Sequence, residues 1–172
     1  MKKQLKKQQN IVKGILNRAN GDYWESIIDA ACEYYSRNGI AEIEKTPEPM
    51  RPIGSPNSKG QFLACFTKKG QPDYKGTIKG GKAVVFEAKH TDTNRMHQSV
   101  ITDEQEKRLN NHFSLGADCF VLVSFGLIRY YKIPWDVFRS MKEHYGRKYI
   151  TPDDIQEYEI TRTKTGGYLN FL

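Results

Sequence analysis

Cysteine is scarce in this chain. Cys32, Cys65 and Cys119 are the three among 172 residues and none sits in a CxxC pair, so neither a disulfide framework nor a cysteine-rich zinc site is indicated. A reducing, cytoplasmic setting is the expectation. Long apolar runs are missing as well: the run at residues 120–123 near the centre is far below the ~20 residues a membrane helix needs. No apolar stretch follows the lysine-rich N-terminus as a signal peptide requires, so the mature chain is expected to start at Met1. Gly-x-Ser-x-Gly is absent around Ser124, and no Gly-Lys-Ser/Thr pattern follows Gly80-Gly81, which excludes a nucleophile elbow and a phosphate loop. His90, His97, His112 and His144 lack metal-ligand spacing among themselves and read as solvated or hydrogen-bonded histidines. No internal repeat is evident.

What the chain has is positive charge. Lysine and arginine total 27 against 20 acids, a formal net charge of +7, which argues for a polyanionic partner, nucleic acid first. Residues 1–20 hold Lys2, Lys3, Lys6, Lys7, Lys13 and Arg18 and no acid, so nearly all of the excess lies in what reads as a flexible basic tail. A second bias runs from Lys45 to Lys82, where Lys45, Arg51, Lys59, Lys68, Lys69, Lys75, Lys79 and Lys82 meet only Glu48 and Asp73. With 38% apolar residues, the length suits one folded unit with a real core, spanning residues 21–172, plus appendages.

Trp24, Ile27, Ile28, Ala31 and Tyr35 recur at helical spacing, with Asp22 placed to start the helix and Asn38-Gly39 to end it. A short strand is expected around Ile40 to Lys45. Pro47, Pro49, Pro52 and Pro56 then exclude helix and disfavour a central strand, so residues 46–70 read as a protruding arm with Gln61 to Thr67 as its returning leg. Residues 74–89 carry a hairpin signal around Gly80-Gly81. Thr102-Asp103-Glu104-Gln105 matches a capping box for the next helix, which Gly116 stops. Residues 119–125 read as a strand buried on both faces and residues 127–133 as another. Pro134 opens a helix through Trp135, Val137, Phe138 and Met141, and Thr151-Pro152-Asp153-Asp154 starts a last one. This order describes an α/β domain around a small mixed sheet.

Pro72-Asp73 opens the first hairpin strand and Glu87-Ala88-Lys89 closes the second. Alternation puts Glu87 and Lys89 on one face with Val85 and Ala83, a candidate site, and Val84, Phe86 and Ala88 on the other, a candidate core face. A three-residue loop Gly80-Gly81-Lys82 pairs Ile78 with Val84, Gly76 with Phe86 and Tyr74 with Ala88, which gathers one apolar face. A two-residue loop does not. The favoured register sets Asp73 opposite Lys89 and diagonal to Glu87, within reach of a shared ion. Two carboxylates with room for water suit Mg²⁺, with Mn²⁺ as a substitute, rather than Zn²⁺. Such an ion polarises a phosphodiester, and Lys89 is placed to orient water or offset developing charge. Gln105 is by itself more often a capping residue than a catalytic one.

The constellation Pro72-Asp73 and Glu87-Ala88-Lys89 resembles the PD-(D/E)XK nuclease superfamily. Asn17-Arg18 with Gly21 and Glu25, the proline-bearing basic arm, Asp73-Tyr74-x-Gly76, Phe86-Glu87-Ala88-Lys89, Gln105 and Cys119-Phe120 together are similar to the RecU-type Holliday junction resolvases. That resemblance implies a restriction-endonuclease-like mixed sheet flanked by helices with a protruding arm. It implies a homodimeric Mg²⁺-dependent endonuclease that nicks opposed strands of a four-way DNA junction. Carried over by position, Asp73 and Glu87 are metal ligands, Lys89 the motif lysine, Glu25 an added acid from the first helix and Gln105 a polar group lining the site. Arg18, Arg51, Lys59, Lys68, Lys69 and Lys75 are the expected DNA contacts. Two alternatives stay open: a non-catalytic junction or duplex binder, and a restriction-type nuclease of the same fold.

Overall fold

Residues 2–37 contain no proline, and lysine, glutamine, alanine and leucine, all good helix formers, recur through them. In the computed structural model they form one helix, α1 (Lys2–Arg37). The structure describes residues 2–47, 49–67, 71–164 and 167–172, without the side chains of residues 2–10 and of Phe66. The helix start expected at Asp22 is therefore corrected: Asp22 lies inside α1, and the basic segment continues the helix backbone. Gly14 and Gly21, each worth roughly 1 kcal/mol against helix, do not break it.

The expected mixed sheet flanked by helices is present. Its six strands are β1 (Ala41–Lys45), β4 (Tyr74–Ile78), β5 (Lys82–Thr91), β7 (Asp118–Phe125), β8 (Arg129–Pro134) and β10 (Glu159–Ile160), in that spatial order. Pairing is antiparallel throughout except between β5 and β7, which run parallel. Two small ribbons stand apart from this sheet: β2 (Met50–Ile53) with β3 (Leu63–Phe66), and β6 (Met96–His97) with β9 (Tyr149–Ile150). The first lies within the expected arm, with the returning leg at β3 and Pro52 on a two-stranded edge, where a missing N–H is tolerated.

Each face of the sheet is covered. Trp24, Ile28 and Tyr35 of α1 pack on Val84, Phe86, Phe120 and Leu122, joined by Leu169 and Phe171 from the C-terminal segment. The buried Tyr35 hydroxyl ties that segment down, donating to Leu169 O (3.0 Å) and accepting from Phe171 N (2.8 Å). On the opposite face, Leu109 of α2 (Asp103–Ser114) packs with Trp135 and Phe138 of α3 (Trp135–Arg139) and Met141 of α4 (Met141–Tyr145) on Val85, Val121 and Val123. The single helix expected after Pro134 is two short ones. Ser140 leaves helical geometry (φ −103°, ψ 27°), and its carbonyl accepts from Glu143 N and His144 N to begin a new turn. The capping box at Thr102 forms as expected, and that at Thr151 starts a 3₁₀ helix (Pro152–Tyr158). The three cysteines are free, and no described helix is long and apolar enough to cross a membrane.

Candidate active site

The hairpin β4–β5 sets the site, and its register differs from the expected one by two residues. Ile78 pairs with Lys82, Gly76 with Val84 and Tyr74 with Phe86. The cause is the turn. Gly81 N donates to Ile78 O (2.9 Å), so the loop is Lys79-Gly80-Gly81, and both glycines take positive φ (97° and 91°), which L side chains disfavour. A two-residue slip keeps every side chain on its expected face. It moves Asp73, one residue before β4, from opposite Lys89 to level with Glu87.

The face carrying Glu87 is not open along its length, as alternation had suggested. Val85 is buried under α2 and its neighbours, so the site is confined to the C-terminal end of β5. Glu87 itself is fully buried. Four of the expected residues converge there. Lys89 Nζ donates to Glu87 Oε2 (2.7 Å) and to Asp73 Oδ2 (3.2 Å), and Gln105 Nε2 donates to Glu87 Oε2 (2.6 Å). The amide of Ala88 holds Asp73 Oδ2 at 3.0 Å. Gln105 makes both contacts at once: its Oε1 accepts from Thr102 N (3.1 Å) in the capping box while its amide nitrogen donates to Glu87.

The electrostatics follow from burial. Desolvation pushes the Glu87 carboxyl up to about 8; Lys89 pulls it down, and Asp73, within hydrogen-bonding reach, adds to the rise. For Lys89, burial lowers the ammonium, but Glu87 and Asp73 outweigh it and hold it above its ordinary value. Glu87 Oε1 is buried without a hydrogen-bond partner, and both bonds to Asp73 go to Oδ2, leaving Oδ1 for another partner. An all-oxygen pair with an orphaned carboxylate atom fits a hard divalent cation that takes its remaining ligands from water and phosphate. Among the described residues no group of three His, Cys, Asp or Glu side chains is arranged to hold a metal.

Glu25 is not joined to this network. Its carboxylate pairs with Lys45 at the end of β1 (2.5 Å), whose ammonium that hydrogen bond holds above its usual value while Asp73 adds to the rise. Lys45 thus pairs with Glu25 and feels the charge of Asp73, a position the sequence reading missed. The only signal for it is the pairing of β1 with β4, where Lys45 meets Tyr74, and that neighbourhood is not written in local sequence. Thr46 N also donates to the main-chain Asp73 O (2.8 Å), so the residue just past β1 anchors the backbone that carries the carboxylate.

The expected DNA contacts are spread out. Arg18 is exposed on α1, Arg51 and Lys59 are exposed on the β2–β3 ribbon and its turn, and Lys68 and Lys69 lie outside the described residues. Lys75, beside the site on β4, donates to Gln71 Oε1 (2.6 Å), and burial first, then Arg108, lowers its ammonium. His90 is hydrogen-bonded, as expected, between Ser124 Oγ (3.2 Å) and Asp92 Oδ1 (3.0 Å), and the fully buried Ser124 is no nucleophile.

With this geometry in place, comparison with known proteins is informative. The model of the Recombination protein U family matches residues 19–172. A Holliday junction resolvase RecU of Bacillus pumilus is 30% identical over 141 residues, covering 77% of this chain and 68% of that protein. A Holliday junction resolvase RecU of Streptococcus pneumoniae is 28% identical over 160 residues, covering 88% and 80%. The solved structure of Archaeoglobus fulgidus Hjc aligns with a TM-score of 0.49 at 10% identity, over 80% of this chain and 88% of that one. Family match and identity agree across most of the sequence: the chain belongs to the RecU family.

Proposed function

We propose that this chain is a Mg²⁺-dependent endonuclease that resolves four-way DNA junctions by paired nicking. The observation that supports it most is the trio at the end of β5, where Asp73 and Glu87 meet with Lys89 between them and Glu87 Oε1 lacks a partner. Its relatives carry the name Holliday junction resolvase.

Asp73 and Glu87 would hold the ion. A bound divalent cation polarises the phosphodiester and lowers the pKa of its water. Ala88 N–H and Gln105 fix the two carboxylates against rotation. Lys89 Nζ, already aimed between them, donates toward the phosphate oxygens and offsets the charge that develops there. A pure DNA binder gains nothing from this arrangement, because two carboxylates facing phosphate weaken the contact. The direct test is incubation of labelled four-way junction and linear duplex with Mg²⁺ or with EDTA. Cutting of the junction with Mg²⁺ alone is expected, and binding without cutting in both conditions defeats the nuclease reading.

Two opposed strands require two equivalent sites, most simply related by a two-fold axis. A homodimer is therefore expected. Sedimentation that shows a monomer at micromolar concentration, with paired nicking intact, contradicts it.

The β2–β3 ribbon serves as the junction-selective element. Arg51 and Lys59 are exposed on it beside the exposed apolar side chains Met50, Ile53 and Leu63. Thr67 N donates to Pro49 O (2.9 Å), so the ribbon's two ends meet. Replacing residues 50–66 by a short glycine turn is thus expected to spare folding and duplex binding while removing the preference for branched DNA. Competition binding with junction and duplex of equal length measures this; an equal loss for both would make the ribbon a generic basic loop.

A further inference from the structure

Among the described residues, Arg18 and Arg95 are the two arginines whose guanidinium groups make no hydrogen bond. Arg37, Arg108, Arg129 and Arg147 are paired with carboxylates, and Arg51, Arg139 and Arg162 with other acceptors. The two segments that carry them are joined by one side-chain contact. Asn20, two residues from Arg18, donates to both carboxylate oxygens of Asp92 (3.1 and 3.2 Å), three residues before Arg95.

Arg95 is exposed yet held in place. Its guanidinium lies 4.8 Å from the centre of the Tyr149 ring, and Arg147 lies 4.8 Å from the same ring. The segment leading to it from the end of β5 is pinned by side-chain bonds. Thr93 Oγ1 meets Thr91 Oγ1 (2.9 Å) and donates to Arg95 O (3.0 Å), and Thr91 Oγ1 accepts from Thr93 N (3.2 Å). Immediately after Arg95, Met96 is buried and pairs with Ile150 of β9. Asp92 is committed to His90 and Asn20, and Asp154 to Arg147 and Thr151. The acid nearest Arg95 in sequence and the one that holds its neighbour on the Tyr149 ring, Arg147, are thus already taken.

A fork of five donors, fixed on an aromatic face and left without an anion, matches a phosphate. It is six chain steps from Lys89, so it stands within about 20 Å of that lysine. We propose that Arg95, stacked on Tyr149, is a backbone-phosphate contact for the DNA strand that passes through the site. This rests on the nuclease reading above and names a binding residue that reading does not contain.

The test is fluorescence anisotropy with labelled four-way junction and linear duplex in EDTA, across a salt series, for wild type, Arg95→Ala, Arg95→Lys and Tyr149→Leu. Circular dichroism confirms that each variant is folded. Arg95→Ala is expected to weaken both DNA forms about fivefold and to lower the slope of log K against log salt by about one, as loss of one phosphate contact does. Arg95→Lys and Tyr149→Leu keep the charge but lose the fixed fork, so affinity falls while the slope is retained. Unchanged affinity and slope in Arg95→Ala, with wild type binding normally, overturns the proposal. A wild-type chain that neither binds nor cuts a junction fails the functional reading instead, and the two failures are distinct.

Discussion

Asp73→Ala or Glu87→Ala is expected to lower Mg²⁺-dependent junction cleavage by about 10³-fold or more, since losing one of two ion ligands removes several kcal/mol of transition-state stabilisation. Binding of the uncut junction should hold or tighten, because a negative charge that faces phosphate has gone. The fold should survive the change at Glu87. Its carboxylate is fully buried with one oxygen unpartnered, a cost that offsets the bonds its other oxygen accepts from Lys89 and Gln105. Glu87→Gln sharpens the test, since an amide keeps the shape and can still accept from Lys89 and Gln105 but does not bring the charge. Its cleavage should fall as far as that of the alanine variant. Gel quantification of nicked product alongside anisotropy with uncut junction separates the two effects, and wild-type cutting by either position's variant would sink the assignment.

Why the site was readable from sequence, and where it was not, comes down to which signals are local. Asp73, Glu87, Lys89 and Gln105 were legible because a hairpin and a capping box are encoded within a few residues each, and the side-chain parity of a strand survives a register error of two. The turn itself was misplaced. Its hydrogen bond from Gly81 to Ile78 depends on both glycines at positive φ, and composition shows only that two glycines are adjacent. Burial of Val85 was missed for another reason. It is imposed by α2, α3 and α4 arriving from far along the chain, and a single strand's alternation carries no record of a second cover. Lys45 shares that limitation, as does the stacking of Arg95 on Tyr149 across residues 54 positions apart. The start of α1 was misread from Asp22, a good cap residue, although no helix breaker as strong as proline precedes it.

These positions share one construction. β5 is the third of the six strands counted from β1, paired on both sides, and its buried half anchors the sheet while its last residues present the candidate site. Asp73 has no strand of its own. It is located by the Ala88 amide, by Lys89 and, through its carbonyl, by Thr46 just past β1. The geometry of the carboxylate pair therefore depends on how closely β1 lies against β4.

That closeness has one requirement, and it gives the largest expected effect on stability. Gly76 pairs with Ile43, and a Cβ there would meet Glu42 O at 2.1 Å and the Ile43 Cα at 2.6 Å. Both obstacles include backbone, which cannot rotate away as a side-chain end can. Gly76→Ala is thus expected to destabilise by about 3 kcal/mol or more, the upper end of overpacking costs, or to detach β1 from the sheet. Either result reaches the site, because β1 ends in Lys45 and leads to Thr46, the residues that hold Glu25 and Asp73. Gly21→Ala makes the opposite case. It lies within α1 with nothing within 4 Å of its Cβ position, so the same added methyl should stabilise by roughly 0.5–1 kcal/mol through helix propensity and a less flexible unfolded chain. Urea melts of the two variants beside wild type should move in opposite directions, with cleavage lost in Gly76→Ala at temperatures where Gly21→Ala remains folded. A Gly76→Ala protein with wild-type melting and cutting would mean that β1 does not press on β4 as described.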